Sequence, residues 1–350
     1  MRHYRGMASP HTLSPAAVAE ALRLTDAHTA LLAELDAVGP RPAPLAPLGE
    51  RRSRELLRAY GAGEQDAEEV AATEPDPERS PELWWLLDRC VHRTELDVGR
   101  FDAPYRAWPQ LPETLGAAGR CFYAHVFTHA SARVRAWHRE RGVTERESLA
   151  ILADLGRHLG VHRTAFGTVG LNAQSWLSLH LGGMIYEFGR LQFNMMTIAP
   201  GSSPGHWYDG ERLSGLGPGF QAGDAALGVH IPPTGPLTPE AVEDSFARAR
   251  EFFATRFPEP TRRLAVCTSW LLDDQLARYL DAGSNIVRFQ RRFEAVPGGT
   301  EDESDFFWFV FRKHEPHLCQ LPQDTALQRA IVAHLREGGR WRVRTGWTRL

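Results

Sequence analysis

Proton transfer near neutrality calls for imidazoles, or for carboxylates held away from water, and a few residues of this 350-residue chain meet that need. His230 closes the run Ala225-Ala226-Leu227-Gly228-Val229-His230, just ahead of Pro232-Pro233. An imidazole, with a pKa of about 6.5, can act there as a general base; the plainer alternative is a strand histidine satisfied by its neighbours. Glu187 interrupts the apolar run Ile185-Tyr186-Glu187-Phe188. Burying an unpaired carboxylate is costly, so Glu187 either serves as a base, directly or through water, or pairs with Arg190. Three apart on a strand, those two side chains point to opposite faces, so the pairing needs a bulge. Cys267 and Ser269, two apart, share a strand face. A nucleophilic Cys267 needs a neighbouring histidine and a lowered thiol pKa; otherwise it is a small core residue. Ser269 can donate to a substrate carbonyl or bond backbone at its strand end.

A second group of residues suits anions. Thr238 followed by Pro239 and Glu240 reads as the cap and first turn of a helix, whose free N–H groups can hold a phosphate for roughly 0.3–1 kcal/mol per charge. Glu240 would repel a diphosphate, and an ordinary capped helix is the alternative. Arg288, Arg291 and Arg292 form a basic cluster for phosphate contact, or else a solvated or salt-bridged one. His125/His129 and His158/His162 have the i, i+4 spacing of metal ligands. Fifteen histidines make such pairs easy to find, and no H-E-x-x-H accompanies them, so no metal is expected. No Walker loop, G-x-S-x-G elbow or zinc-knuckle spacing is present.

The elements that must position these groups change character along the chain. Up to about Leu159 the apolar spacing is helical: Ser14 to Leu35, Arg51 to Tyr60, Leu83 to Leu96, Ala117 to Glu140 and Glu145 to His158, with Glu64 to Ser80 read as an exposed acidic stretch. Strands are then expected over Met184 to Ile198, Ala225 to Ile231, Arg263 to Leu272, Asn285 to Val296 and Asp305 to Phe311. Helices are expected over Pro239 to Phe257, Asp273 to Leu280 and Gln323 to Leu335. This is an α/β (α+β) chain: a helical N-terminal domain at 10–150, then a mixed sheet flanked by helices at 151–350. The aromatic run Phe306-Phe307-Trp308-Phe309 fits a strand buried on both faces, or the wall of an acyl-chain pocket.

A net charge of −3 supplies no basic excess for nucleic acid. Four scattered cysteines without a C-x-x-C pair imply reduced thiols. Met1 to Pro10 lacks an apolar segment behind it, and no run approaches eighteen apolar residues, so a cytoplasmic protein without membrane contact is expected.

Four segments carry a resemblance, in order: Tyr186-Glu187-Phe188-Gly189-Arg190-Leu191-Gln192-Phe193, His230-Ile231-Pro232, Cys267-Thr268-Ser269-Trp270-Leu271-Leu272, and Ser284-Asn285-Ile286-Val287-Arg288-Phe289-Gln290-Arg291-Arg292-Phe293. They resemble the bacterial acyltransferase family that joins a helical N-acyltransferase N-terminal domain to a GNAT-like (N-acetyltransferase) C-terminal domain. The resemblance spans nearly the whole chain in two parts meeting near residues 145 to 165. It implies an acyl-CoA co-substrate, acetyl-CoA being the simplest, bound by the loop and helix start at Ile231, Thr234, Gly235 and Thr238, with Arg291 near a phosphate. The family's loop usually reads Gln/Arg-x-x-Gly-x-Gly/Ala; here Pro232-Pro233-Thr234-Gly235-Pro236-Leu237 has a single glycine.

Acyl transfer to an amine needs a base, an oxyanion donor and an acid for the departing thiolate. His230 or Glu187 fits the first role and Ser269 the second. Tyr279 fits the third, by its position in the family's pattern. The expected reaction moves an acyl group from a CoA thioester to an amine of a small molecule or peptide, in a groove between the second and third strands, with the N-terminal helices shaping the acceptor side. The rival readings are a non-catalytic GNAT-like module binding a ligand or protein, and a thioester hydrolase or decarboxylase. The acceptor, the acyl length and the oligomeric state are not encoded in any motif.

Overall fold

The structure, a computed structural model, describes residues 13–101, 106–198, 221, 223–302, 306–313 and 317–350. It divides into two compact units, Met1–Met184 and Ile185–Leu350. The boundary expected at 150/151 therefore lies inside a helical stretch, because two further helices pack in the first unit. The leader Met1 to Pro10 lies outside the described residues.

In the first unit the helical spacing becomes α1 (Pro15–Leu22), α2 (Thr29–Val38), α3 (Glu50–Ala59), α4 (Glu64–Ala71), α5 (Pro81–Asp97), α6 (Gly116–Glu140), α7 (Glu145–Leu152), α8 (Asp154–Phe166) and α9 (Gln174–Leu181). Ser14 caps α1, its hydroxyl accepting from Ala17 N at 3.2 Å. The run to Leu35 is not one helix: Arg23 turns left-handed at φ 53° and ends α1. Glu145 to His158 likewise splits at Ala153. Glu64 to Ser80, read as exposed, contributes α4, which buries Asp66, Ala67, Val70 and Ala71. The surrounding carboxylates had hidden that i, i+3, i+4 stripe. The core is built on α5 and α6, where Trp85, Leu86, Leu87, Phe122 and Phe127 are buried.

The second unit is a sheet of seven strands in the order β1-β2-β3-β4-β7-β5, with β6 paired to β7. The expected strand over 184–198 is a hairpin, β1 (Ile185–Phe188) and β2 (Leu191–Thr197), turned at Gly189 with φ +69°. β3 (Ala225–His230) follows, then α10 (Pro239–Arg256) and β4 (Leu264–Ser269). Short 3-10 turns at Trp270–Leu272 and Asp274–Arg278 lead to α11 (Asn285–Gln290), β5 (Glu294–Ala295), β6 (Thr300–Glu301), α12 (Ala326–Arg336) and β7 (Arg342–Arg349).

Three expectations fail here for physical reasons. Asn285 to Val296 starts as a helix, capped by Ser284, because Ile286, Phe289 and Phe293 repeat at the helical interval, while Val287, Phe289 and Phe293 also fit a strand's alternation. The aromatic run forms a π-helical turn over Phe307–Phe311 with Phe309 exposed and Phe306 buried, so burial on two faces does not occur. Asp305, the expected first residue of that strand, lies outside the described residues. Finally β7 was not anticipated: its alternating arginines resemble a polar tail, yet it pairs along all of β4.

Strand alternation divides the sheet into two faces. Tyr186, Phe188 and Phe193 face α10, where Tyr186 meets Phe252 at 4.7 Å and Phe193 meets Phe246 edge-on at 5.2 Å. Met196, Ile198, Ala226, Leu264, Val266 and Trp347 form an apolar cluster on the other face.

Candidate active site

The antiparallel register puts Glu187 opposite Gln192 and Gln192 opposite His230. Cross-strand partners share a face, so the three stand in one row, on the side of the sheet away from α10. Gln192 donates from Nε2 to Glu187 Oε2 at 2.9 Å. The carboxylate is thereby held, and no bulge toward Arg190 forms. Asn194, two residues along the same face, lies opposite Gly228 and places Oδ1 2.7 Å from His230 Nε2. Both amide residues are buried, while Glu187 and His230 are half-buried.

A parallel pair of strands carries this row to a gap. β3 and β4 are six residues long each but pair only at Leu227↔Ala265 and Gly228↔Val266. Beyond those two positions, Val229 and His230 are not laddered to Cys267, Thr268 and Ser269. The outer neighbours stay paired, since Gln192 still opposes His230 and Ser269 opposes Arg344. The strands thus part where His230 ends β3, and Thr268 and Thr345 close the far side with a hydroxyl pair 2.8 Å apart.

The loop after His230 leaves the end of β3 and is held at the β1–β2 hairpin end. Ile231 is half-buried, Thr234 and Gly235 are exposed, and Gly235 has φ +134°, a backbone that suits only glycine. Prolines at 232, 233 and 236 remove three donors, leaving the amides of Gly235 and Leu237 without a bonded acceptor among the described residues. Arg190 pins the loop: Nε donates to Gly235 O at 2.8 Å and NH1 to Pro232 O at 2.7 Å. Burial lowers the Arg190 pKa while the Glu187 charge opposes that shift. Thr238 caps α10 as read, accepting from Ala241 N at 3.3 Å ahead of Pro239 and Glu240.

Other candidates are not brought to this row. Ser269 caps the following 3-10 turn, its Oγ accepting from Leu271 N at 3.1 Å. The Tyr279 hydroxyl donates to Glu337 Oε2 at 2.6 Å and lies 3.1 Å from His334 Nδ1. That carboxylate bond, helped by burial, raises the phenol pKa and makes it a poorer acid. Arg291 is exposed at the end of α11, whereas Arg292 is bound to Glu243 at 2.6 Å and lies over Phe246, so the arginines form no strand cluster. Burial pushes the Cys267 thiol up to about 12, the opposite of nucleophile activation. His125 is buried against Thr73, His129 against Glu74, and His162 against the Thr168 carbonyl. No group of three or more His, Cys, Asp or Glu that could hold a metal occurs among the described residues.

What sequence reasoning missed is the supporting set: Arg190 as loop clamp, Gln192 in the middle of the row, and Asn194 and Gly228 beside it on the same face. Two amides alternating through an otherwise buried apolar strand were the available signal.

A sheet whose central parallel strands separate beside a capped helix, with a base candidate at the fork, defines an acyltransferase of GNAT-like architecture. Residues 185–348 match the GNAT-like C-terminal domain and residues 51–183 the N-acyltransferase N-terminal domain. Solved acyltransferases superpose over 97% of this chain and 100% of their own with TM-score 0.86. Among them are one with decanoyl-CoA and teicoplanin and a tryptophan-to-alanine variant with octanoyl-CoA, each 38% identical, and one with decanoyl-CoA, 35% identical. No curated protein sequence matches. The chain belongs to the acyltransferase family that joins an N-acyltransferase N-terminal domain to a GNAT-like C-terminal domain, and it is an enzyme of that class. No helix among the described residues is long and apolar enough to cross a membrane.

Proposed function

We propose that the protein, an acyl-CoA-dependent acyltransferase, moves a medium-length acyl chain from a CoA thioester to an amine of a glycopeptide-like acceptor, with His230 as the general base. The parting of β3 from β4 at His230 is the observation that carries this reading. A thioester lying in that gap would present its carbonyl beside the imidazole. Related structures holding octanoyl-CoA, decanoyl-CoA and teicoplanin support the longer chain and the acceptor class, while acetyl-CoA stays in the comparison as the short donor.

In this mechanism the acceptor enters as an ammonium and gives one proton to His230. The freed amine attacks the thioester carbon, the C–S bond breaks, and a second proton passes from nitrogen to the departing sulfur. His230 returns its proton to water. Glu187, held by Gln192, stands on the same face of the sheet. The amides of Gly235 and Leu237 and the start of α10 at Thr238 would meet the CoA phosphates, with Ile231 and Thr234 flanking them, and Arg291, exposed just past α11, would supply a cation. With Ser269 and Tyr279 committed elsewhere, backbone donors of the splayed strands are left for the oxyanion.

Calorimetry with acetyl-, octanoyl- and decanoyl-CoA, followed by mass spectrometry of teicoplanin-type amines after incubation, tests this. Tighter binding of the longer thioesters and an amide product are expected. Failure of all three to bind would end the reading, and free fatty acid without amide would replace transfer by hydrolysis.

A further inference from the structure

The row beside the strand fork contains a residue whose geometry exceeds what packing alone requires. Asn194 is buried, and its side chain does not stand over the residue opposite but lies across it, because that residue is Gly228. A Cβ at 228 would sit 2.0 Å from Asn194 Oδ1 and 3.1 Å from its Cγ. Any larger residue there would therefore push the amide away from His230. The amide orientation is set from its other end, where Nδ2 donates to the Met195 carbonyl at 3.2 Å. That leaves Oδ1, which can only accept, facing His230 Nε2 at 2.7 Å.

We propose that Asn194 is a positioning residue that holds His230 as the Nε2–H tautomer, so that Nδ1 carries the lone pair that takes the acceptor's proton. The inference rests on His230 being the base. Its logic is that of any imidazole whose reactive nitrogen is chosen by the bond the other nitrogen makes. Gly228 belongs to the same device as the space through which the amide reaches. Among the described residues of this row, the charged Glu187 is bound by Gln192, which itself stands opposite His230. The neighbours on β4 and β7, Thr268 and Thr345, are uncharged and bonded to each other.

The full-length enzyme and octanoyl-CoA with an amine acceptor provide the test. Replacing Asn194→Leu, which cannot accept, is expected to lower kcat about tenfold to a hundredfold with KM for the thioester little changed, as for other losses of an orienting partner. Asn194→Asp keeps an acceptor and adds a charge; it should retain most of the activity and move the acidic limb of the kcat/KM profile to higher pH by about one unit. Imidazole 15N spectra, with His230 assigned from its loss in His230→Ala, should show Nε2–H in the wild type and a tautomer mixture in Asn194→Leu. Gly228→Ala, which leaves both partners in the chain, should reproduce the Asn194→Leu spectrum. An unchanged kcat and tautomer in Asn194→Leu, with His230→Ala inactive, would overturn the role of Asn194 alone. Full activity in His230→Ala would instead remove the base on which the inference stands.

Discussion

Around Asp154 in the helical unit and around Gln192 in the sheet unit, histidines meet acids and amides out of bulk water, yet the two settings differ in closure. Asp154 is 1% exposed. It accepts from Trp176 Nε1 at 2.9 Å, is bonded by Arg157, and has His158 Nε2 at 3.5 Å. His180 Nε2 stands at 3.1 Å, close enough for charge attraction though without the alignment of a hydrogen bond. His138, bonded to Ser148 at 2.8 Å, extends the polar core between α6 and α7. Every member sits between helices. The row at His230 instead ends where two strands stop pairing. Burial and unusual ionisation alone would have singled out Asp154; the break in a ladder singles out His230. Perturbed groups mark functional sites only when a substrate can reach them.

The sharpest way to break this comparison is to remove the hub. Asp154→Ala leaves Trp176 Nε1 without its acceptor and Arg157, His158 and His180 without their charge partner, and should cost about 3–5 kcal/mol of stability, as expected when one partner of a buried pair is lost. Urea unfolding measures it. A loss below about 1 kcal/mol would mean the cluster is not what holds α8 and α9, and that the helical unit deserves a catalytic reading after all.

A pH experiment sharpens the same contrast at a somewhat smaller scale. Burial, aided by the charge of His180, lowers the His138 pKa to about 4. The unfolded chain takes up that proton first, near pH 6.5. Stability from keeping His138 neutral is therefore whole above about 6.5 and drains as pH falls toward about 4, by about 3 kcal/mol in all. His125, also lowered to about 4 by burial, adds a parallel loss. His138→Gln should flatten the pH dependence of the urea midpoint between about pH 4.5 and 6 by close to one proton. An unchanged slope would contradict the burial assigned to His138.

These tests also bear on what could be read from residues alone. Helices with a strong apolar period, such as α6 and α10, were legible because burial on one side repeats every three to four positions. The cap at Thr238 was legible because capping is local chemistry. β7 was not, since Arg342 and Arg344 alternate with Val343 and Thr345, and Arg349 ends a strand that only its partner β4 makes central. The candidate site divides the same way. His230 and Glu187 could be chosen by type and position, but the face they share depends on a hairpin register that places Gln192 between them. Ser269 and Tyr279 had suitable chemistry, and their hydroxyls are taken by partners, one backbone amide and one carboxylate, that no spacing rule reveals.

Within the sheet unit, Arg190 separates positioning from chemistry. Its two charge-assisted bonds hold the carbonyls of Pro232 and Gly235. Arg190→Leu should loosen the loop and raise KM for acyl-CoA about tenfold, equivalent to about 1.4 kcal/mol, with kcat within about twofold. Initial-rate kinetics over thioester concentration decide it. A fall in kcat at constant KM would place Arg190 in the chemistry and erase the distinction between clamp and base.

The smallest effect is expected at the start of α10. Thr238 satisfies one orphan amide of that helix, and Thr238→Ala should cost about 1 kcal/mol of stability if capping is its whole task. The α10 start is also the proposed seat of the CoA phosphates, so the same variant can be titrated with desulfo-CoA, which has the phosphates and no thiol. Loss of stability with unchanged affinity would make Thr238 a cap and leave phosphate binding to the amides of Gly235 and Leu237. Weakened affinity beyond the stability loss would show that the hydroxyl is shared between helix and ligand, and would extend the open character of the His230 end to the far side of the loop.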